Sequence, residues 1–221
     1  LPAHWTRFRA FDWGSAKPFS CGWYAVADGK SLGFPEGALL KYREFYGWNG
    51  TPNVGLRMSA LAVGKAIFER DLEEAKLGRN ITYGLADPSI FAEDGGPSIA
   101  ESMLSGGCQW ARADNKRIPG WEQMHVRFQA DPPLLYFSDA CEHTIRCVSS
   151  VQHDETKPED LDTEGEDHAV DETRYACNSR PLVTKLRPAS PTIVHRKSVT
   201  EMNFNELVAR NRKIRLAAST W

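Results

Sequence analysis

Arg7-Phe8-Arg9-Ala10-Phe11-Asp12-Trp13 alternates two sets of side chains, Arg7, Arg9 and Phe11 in one and Phe8, Ala10 and Asp12 in the other. A period of two is the pattern of a strand with two different faces, and Gly14-Ser15 stops it. Phe19 to Ala27, carrying Phe19, Trp23, Tyr24 and Val26, predicts a second strand, and Asp28-Gly29 is a strong hairpin signal. Leu39 to Trp48 predicts a third, with Tyr42, Phe45, Tyr46 and Trp48 as its bulky members. Three consecutive strands joined by short turns make an antiparallel meander.

Past the turn cluster Asn49 to Asn53 the period changes. Leu61, Gly64, Phe68, Leu72 and Ala75 recur at helical spacing and Gly78 supplies a C-terminal stop. Ile81 to Ala86 is a short apolar run that ends at Asp87-Pro88; the residue before proline is pushed out of helical geometry, which holds the Asp87 carboxylate at a sheet edge. Next come a helix over Ser98 to Leu104, a brief strand over Trp110 to Ala113, and a helix over Trp121 to Phe128 opened by Pro119. Leu134 to Phe137 predicts a buried strand and Ala140 to Val148 a helix. Helices alternating with strands after a meander predict a mixed α/β sheet with helices on its faces.

The 221 residues suffice for one domain with an appendage or two small ones. With 41% hydrophobic and 25% charged residues, the composition is that of an ordinary soluble globular protein. No apolar run approaches the roughly 18 residues that span a bilayer, and no charged-then-apolar signal segment opens the chain. The five cysteines, an odd number without repeated spacing, read as reduced and mostly buried thiols. Cys141, His143, Cys147 and His153 lack the paired Cys-x-x-Cys knuckle of a zinc site, so core packing is the stronger reading there.

A net charge of -2 conceals an asymmetry. Residues 180–221 hold nine Lys or Arg against Glu201 and Glu206, which leaves 18 basic and 27 acidic residues of the totals of 27 and 29 in the first 179. We therefore expect an acidic body, residues 1–179, and a basic tail, residues 180–221. Such a tail suits a polyanion partner or simply offsets the body's charge.

The late stretch Gly165-Glu-Asp-His-Ala-Val-Asp-Glu-Thr-Arg-Tyr-Ala-Cys-Asn178 reads as a helix. At about 100° per residue, Asp171 falls between Asp167 and His168 on one polar arc, while Ala169, Val170, Thr173, Ala176 and Cys177 share the opposite side. Thr163 and Glu166 form an expected capping box, which gives Glu166 a structural role. Acids thus come from three places: Asp12 on the first strand, Asp87 at the end of the fourth, and Asp167 or Asp171 on the late helix. They converge if the fourth strand lies beside the first. Clustered carboxylates repel unless a cation neutralises them, and oxygen ligands suit Mg²⁺ or Mn²⁺. Two such ions about 3.5 to 4 Å apart activate a water and stabilise a leaving oxygen in phosphodiester hydrolysis. Each acid also has an ordinary reading: Asp12 and Asp87 as turn residues, Asp167 as a partner of the helix dipole, Asp171 as a partner of Arg174 or Tyr175.

Four segments carry a resemblance: Phe11-Asp12-Trp13-Gly14 with Pro18-Phe19; Tyr83-Gly84-Leu85-Ala86-Asp87-Pro88-Ser89; Ala113-Asp114-Asn115-Lys116-Arg117-Ile118-Pro119-Gly120-Trp121; and Glu166-Asp167-His168-Ala169-Val170-Asp171-Glu172-Thr173-Arg174-Tyr175-Ala176. In that order, over most of residues 7 to 178, they resemble the nuclease domain of the tailed-bacteriophage large terminase subunit. The resemblance implies an RNase H-like mixed sheet, an antiparallel three-strand meander plus parallel strands with helices on both faces. It also implies an endonuclease that cuts concatemeric double-stranded DNA during genome packaging with two Mg²⁺ or Mn²⁺ ions; the alternatives are a related RNase H-like resolvase, or a non-catalytic DNA-binding or portal-docking module whose acids hold a structural ion. Asp12 and Asp87 become the expected metal ligands and catalytic acids. The third position is open between Asp171, His168 and Asp167, with Asp171 preferred for its central place on the arc.

The family also carries an ATPase motor, and no Gly-x-x-x-x-Gly-Lys-[Ser/Thr] phosphate loop occurs in this sequence. Together with an opening on Leu1, this gives the expectation of a C-terminal half without ATP hydrolysis. The implied partners are double-stranded DNA, the motor domain of the same full-length protein, a small terminase subunit and the portal; the implied location is the host cytoplasm, with no membrane. Lys17, just past the first strand, and Lys116 and Arg117, in a polar loop, are candidates for DNA phosphate contacts, alongside the ordinary reading of solvated surface charge.

Overall fold

The structure is a computed structural model that describes residues 1–152, 160 and 165–182. β1 (Arg7–Asp12) pairs antiparallel with β2 (Ser20–Val26), which pairs antiparallel with β3 (Leu39–Tyr46). This is the expected meander. β4 (Ile81–Ala86) then adds parallel to the free side of β1, β5 (Ala111–Arg112) adds parallel to β4, and β6 (Leu135–Phe137) adds parallel to β3. The sheet order is β5-β4-β1-β2-β3-β6, so the fourth strand does lie beside the first.

α1 (Ala60–Lys76) and α2 (Ile99–Ser105) cover one face of the sheet. α3 (Arg117–Gln129), α4 (Glu142–Ser150) and α5 (His168–Asn178) cover the other. Local chemistry sets these ends. Ser59 accepts from the Ala62 N–H at the start of α1, and Ser98 with Glu101 makes a reciprocal capping box on α2. α3 begins at Arg117, ahead of Pro119, because proline in the first turn forfeits no helical hydrogen bond.

With helices on both sides, β1 is buried throughout, and its period of two sorts its residues between two cores. Phe8 and Ala10 meet Val170, Tyr175 and Ala176 of α5, whereas Phe11 meets Val63 and Ile67 of α1. All five cysteines are free and buried; His143 stacks on Tyr46 at 4.8 Å, and His153 lies outside the described residues. Among the described residues no helix is long and apolar enough to cross a membrane.

Three expectations for the late helix need correction. It starts at His168 rather than Gly165, with Asp167 as an N-cap whose side chain makes no capping bond. Glu166 instead accepts from the Asn53 N–H at 2.5 Å and pairs with Arg146, so it ties the helix entrance to the 49–55 turn; Thr163 lies outside the described residues. The apolar side, Ala169, Val170, Thr173, Ala176 and Cys177, is buried as expected, but the polar arc is not open: Arg174 and Tyr175 beside it are buried too, with Glu172, and Asp167, His168 and Asp171 are half-buried. Of the basic tail, residues 183–221 lie outside the described residues; the Arg180 guanidinium donates to Tyr83 Oη at 3.1 Å.

Candidate active site

Asp12 and Asp87 are brought together by strand register. β1 and β4 are parallel with Phe11 opposite Ala86, and the Asp87 N–H donates to the Phe11 carbonyl at 3.2 Å. The next residue on each chain is an aspartate. Asp12 follows Phe8 and Ala10 onto the α5 face. The turn after it is tight, because a Cβ on Gly14 would stand 2.3 Å from the Pro18 carbonyl oxygen; only glycine permits that approach. Asp87 caps a short 3-10 helix, Pro88–Phe91, by accepting from the Ser89 N–H at 2.7 Å.

α5 closes the site from above. His168 Nδ1 lies 2.5 Å from Asp12 Oδ2. Tyr175, two turns further on, places its hydroxyl 2.7 Å from Asp87 Oδ2 and 3.2 Å from Asp12 Oδ1. Asp171 sits between them in sequence but turns to two arginines, with Arg174 Nη2 at 3.0 Å and Arg117 Nη1 at 3.6 Å. Arg174, 2% exposed, also donates to the carbonyls of Asn115 and Lys116 at 2.8 and 3.2 Å, and Asn178 donates to the Asp114 carbonyl at 2.9 Å. These bonds stitch the 114–116 loop to α5, and the Asn115 side chain reaches Asp87.

The electrostatics follow from an excess of buried acid. Burial pushes the Asp12 carboxyl above its usual range, with Asp87 and Asp167 adding repulsion and His168 opposing it. Asp171 is raised by burial to about 6, against the pull of Arg174. At His168 burial disfavours the cation, but Asp12 and Asp167 outweigh it and the imidazole is raised. Asp87 is pushed upward by burial and still ends below its usual range, because Ser89, Tyr175 and Asn115 all hydrogen-bond to it.

Every expected acid therefore falls within one electrostatically coupled cluster. Lys17 is exposed and close enough to act on His168, and Lys116 is exposed beside Asp114, with Nζ 3.8 Å from its carboxylate. Arg117 is turned inward, onto Asp160 at 2.8 Å and Asp171. Tyr175, Arg174 and Asn115 were not among the expected site residues. Tyr175 had a readable signal: seven residues past His168, it lies about 20° from the same line along a helix.

The donors fit a hard divalent cation. Asp12 and Asp87 present carboxylate oxygens side by side, and His168 Nε2 is buried without a hydrogen-bond partner. Among the described residues, however, no three His, Cys, Asp or Glu side chains stand close enough to hold an ion as they are now placed.

No known sequence family matches the chain, and no curated relative matches it. Solved structures do. The large terminase of a thermophilic bacteriophage superposes with a TM-score of 0.61 at 17% identity, over 81% of this chain and 41% of that one. The same terminase with ADP gives 0.61 at 18% identity, over 81% and 40%. The nuclease domain of the P22 large terminase gives 0.60 at 14% identity, over 81% of this chain and 84% of that one. The chain thus spans less than half of the thermophilic-phage terminase and most of the P22 nuclease domain. It has the RNase H-like α/β fold of a large-terminase nuclease domain.

Proposed function

We propose that this chain is the nuclease domain of a viral DNA-packaging terminase, and that it hydrolyses phosphodiester bonds of double-stranded DNA with divalent metal ions. One observation carries the reading: Asp12, buried, and Asp87, half-buried, form an acid pair at the ends of adjacent parallel strands, with His168 and Asp171 of α5 over them. A shared fold with terminase nuclease domains supports it.

In this reading Asp12 and Asp87 hold the ions, Mg²⁺ or Mn²⁺, with the third ligand from His168 or Asp171 and Asp167 beside them. Two bound ions supply an activated water and charge stabilisation at the leaving oxygen. The protein's own part is to hold the acids partly out of solvent, where electrostatic interactions are stronger than in water. Lys17 and Lys116 face solvent near the acids and take the DNA phosphates, while Arg117 keeps Asp171 in place. DNA, an ATPase motor in the same polypeptide, a small terminase subunit and the portal are the proposed partners, at the procapsid in the host cytoplasm.

Supercoiled plasmid incubated with this chain tests the reading. Nicking or linearisation with Mn²⁺ or Mg²⁺, lost with EDTA and in Asp12→Asn and Asp87→Asn, is expected. Full activity in either variant would remove that residue from the site, and equal activity in EDTA would end the metal-dependent reading. Preference for branched over linear DNA would point instead to a resolvase.

A further inference from the structure

Tyr175 stands where the proposed site needs a spacer. Its ring is 2% exposed and packs in the core with Phe8, Ala10 and Val170, and the Arg174 guanidinium lies 4.7 Å from the ring centroid. The ring is held on every side, so the hydroxyl position is set by the α5 backbone. That hydroxyl meets one oxygen of each of two carboxylates, Asp87 Oδ2 at 2.7 Å and Asp12 Oδ1 at 3.2 Å. A buried tyrosine needs one partner to satisfy its single proton. This one has two, both acids, one at the end of β1 and one just past β4.

Resting on the metal-nuclease reading, we propose that Tyr175 is a positioning residue: its hydroxyl fixes the spacing and orientation of Asp12 and Asp87 before a divalent cation binds. Two like charges at this range repel. His168 holds Asp12 alone, and Ser89 and Asn115 hold Asp87 alone; the phenol, shared between Asp12 Oδ1 and Asp87 Oδ2, ties one acid to the other. Each carboxylate oxygen has two lone pairs; with the phenol on Asp12 Oδ1 and Asp87 Oδ2, His168 on Asp12 Oδ2 and the Ser89 N–H on Asp87 Oδ1, one lone pair per oxygen is left for an ion. The arrangement is an outer partner that orients inner ligands, the role that typically changes metal affinity 10- to 100-fold when removed.

Tyr175→Phe keeps the ring and deletes the hydroxyl. Titration calorimetry with Mn²⁺ on the whole chain should give an affinity roughly 10-fold or more below wild type. Plasmid cleavage should fall at limiting Mn²⁺ and recover most of its rate at saturating Mn²⁺. A role in folding alone would lower the melting temperature and leave the Mn²⁺ affinity of the folded protein unchanged. Affinity within twofold of wild type overturns the proposal, and so does tighter binding, which would make the phenol a competitor of the ion.

If Tyr175→Phe fails to fold, wild-type chain with 13Cζ-labelled tyrosine gives a second test. The tyrosine signal displaced by Asp87→Asn should also move on addition of Mg²⁺, and a signal indifferent to Mg²⁺ overturns the proposal. The two levels separate cleanly. Wild type that binds no Mn²⁺ ends the metal reading and this inference with it; equal binding by wild type and Tyr175→Phe ends this inference alone.

Discussion

β1 carries buried charge on both of its faces, and Arg9 and Asp12 are treated differently. On the α1 face Arg9, 6% exposed, pairs with Asp71; Trp23 Nε1 donates to the same carboxylate at 2.8 Å, and Arg9 also donates to the Gln109 carbonyl at 2.9 Å. One cation meets one anion, and the indole of Trp110 covers the guanidinium at 4.5 Å. On the α5 face, three residues along, Asp12 shares its surroundings with Asp87, Asp167 and Asp171. The nearby arginines, Arg174 and Arg117, both go to Asp171, leaving the Asp12 and Asp87 pair with an imidazole, a phenol and the neutral donors of Ser89 and Asn115. A buried ion pair that serves the fold is balanced in place. A buried surplus of one sign is tolerable only if something of the other sign arrives.

Neutralising an acid on each face should therefore give opposite results. Asp12→Asn removes part of the surplus, so the metal-free chain should melt at or above the wild-type temperature. Its plasmid cleavage should drop by about 10³-fold or more, since a lost ligand forfeits several kcal/mol of charge stabilisation in the transition state. An Asp12→Asn protein that cuts at the wild-type rate would make the surplus accidental. Asp71→Asn, by contrast, leaves Arg9 buried without its counter-charge. Urea unfolding should show a loss of about 3 kcal/mol, with cleavage per folded molecule retained.

How much of this contrast could be read from the chain follows from its chemistry. The alternation in Arg7 to Asp12 gave both faces, and parallel pairing of Phe11 with Ala86 placed Asp87 where the hydrophobic run Ile81–Ala86 said it would stop. Which face was balanced could not be read, because Arg9 finds Asp71 62 positions away, on α1. The late helix misled for a related reason. An amphipathic arc predicts one wet side, but Lys41 reaches across the sheet to Glu172, with Thr144 and Ser20 completing the contact, and so allows a carboxylate to be fully buried. Spacing along one helix does not encode partners supplied by other elements, which is also why Arg174 and Asn115 were invisible as site residues.

Adding the missing cation sharpens the comparison. With Mn²⁺ at about 100 times its dissociation constant, wild type should gain about 2.7 kcal/mol of stability by mass action. Differential scanning calorimetry should register this as a raised melting temperature that Asp12→Asn abolishes and Asp71→Asn preserves. An equal gain in all three proteins would place the ion elsewhere.

The smallest expected effect is a slope with pH. Asp171 titrates near 6 in the folded chain against 3.8 for the free side chain, chiefly because it is buried. Between those values the folded state holds more protons than the unfolded one, so metal-free stability falls as pH rises from about 4 to about 6. The expected loss is on the order of 2 kcal/mol. His168 acts in the same direction at higher pH: its raised value gives a contribution that is full below 6.5 and is lost as pH climbs through the folded pKa. Asp12 and Asp71 are both raised by burial and tilt the curve the same way. Asp87, held low, acts in the opposite sense and only below about 3.8, outside this window. The informative quantity is then the difference in slope between wild type and Asp171→Asn, because that substitution also leaves Arg174 buried and lowers the whole curve. Chemical denaturation at pH 4.5, 5.5 and 6.5 should give a shallower descent in Asp171→Asn. Saturating Mn²⁺ should reverse the wild-type slope, since an ion that binds carboxylates binds better as they lose protons. If the descent persists unchanged with the ion bound, Asp171 and its neighbours are not responding to the cation, and the acid surplus on this face has no electrostatic link to metal binding.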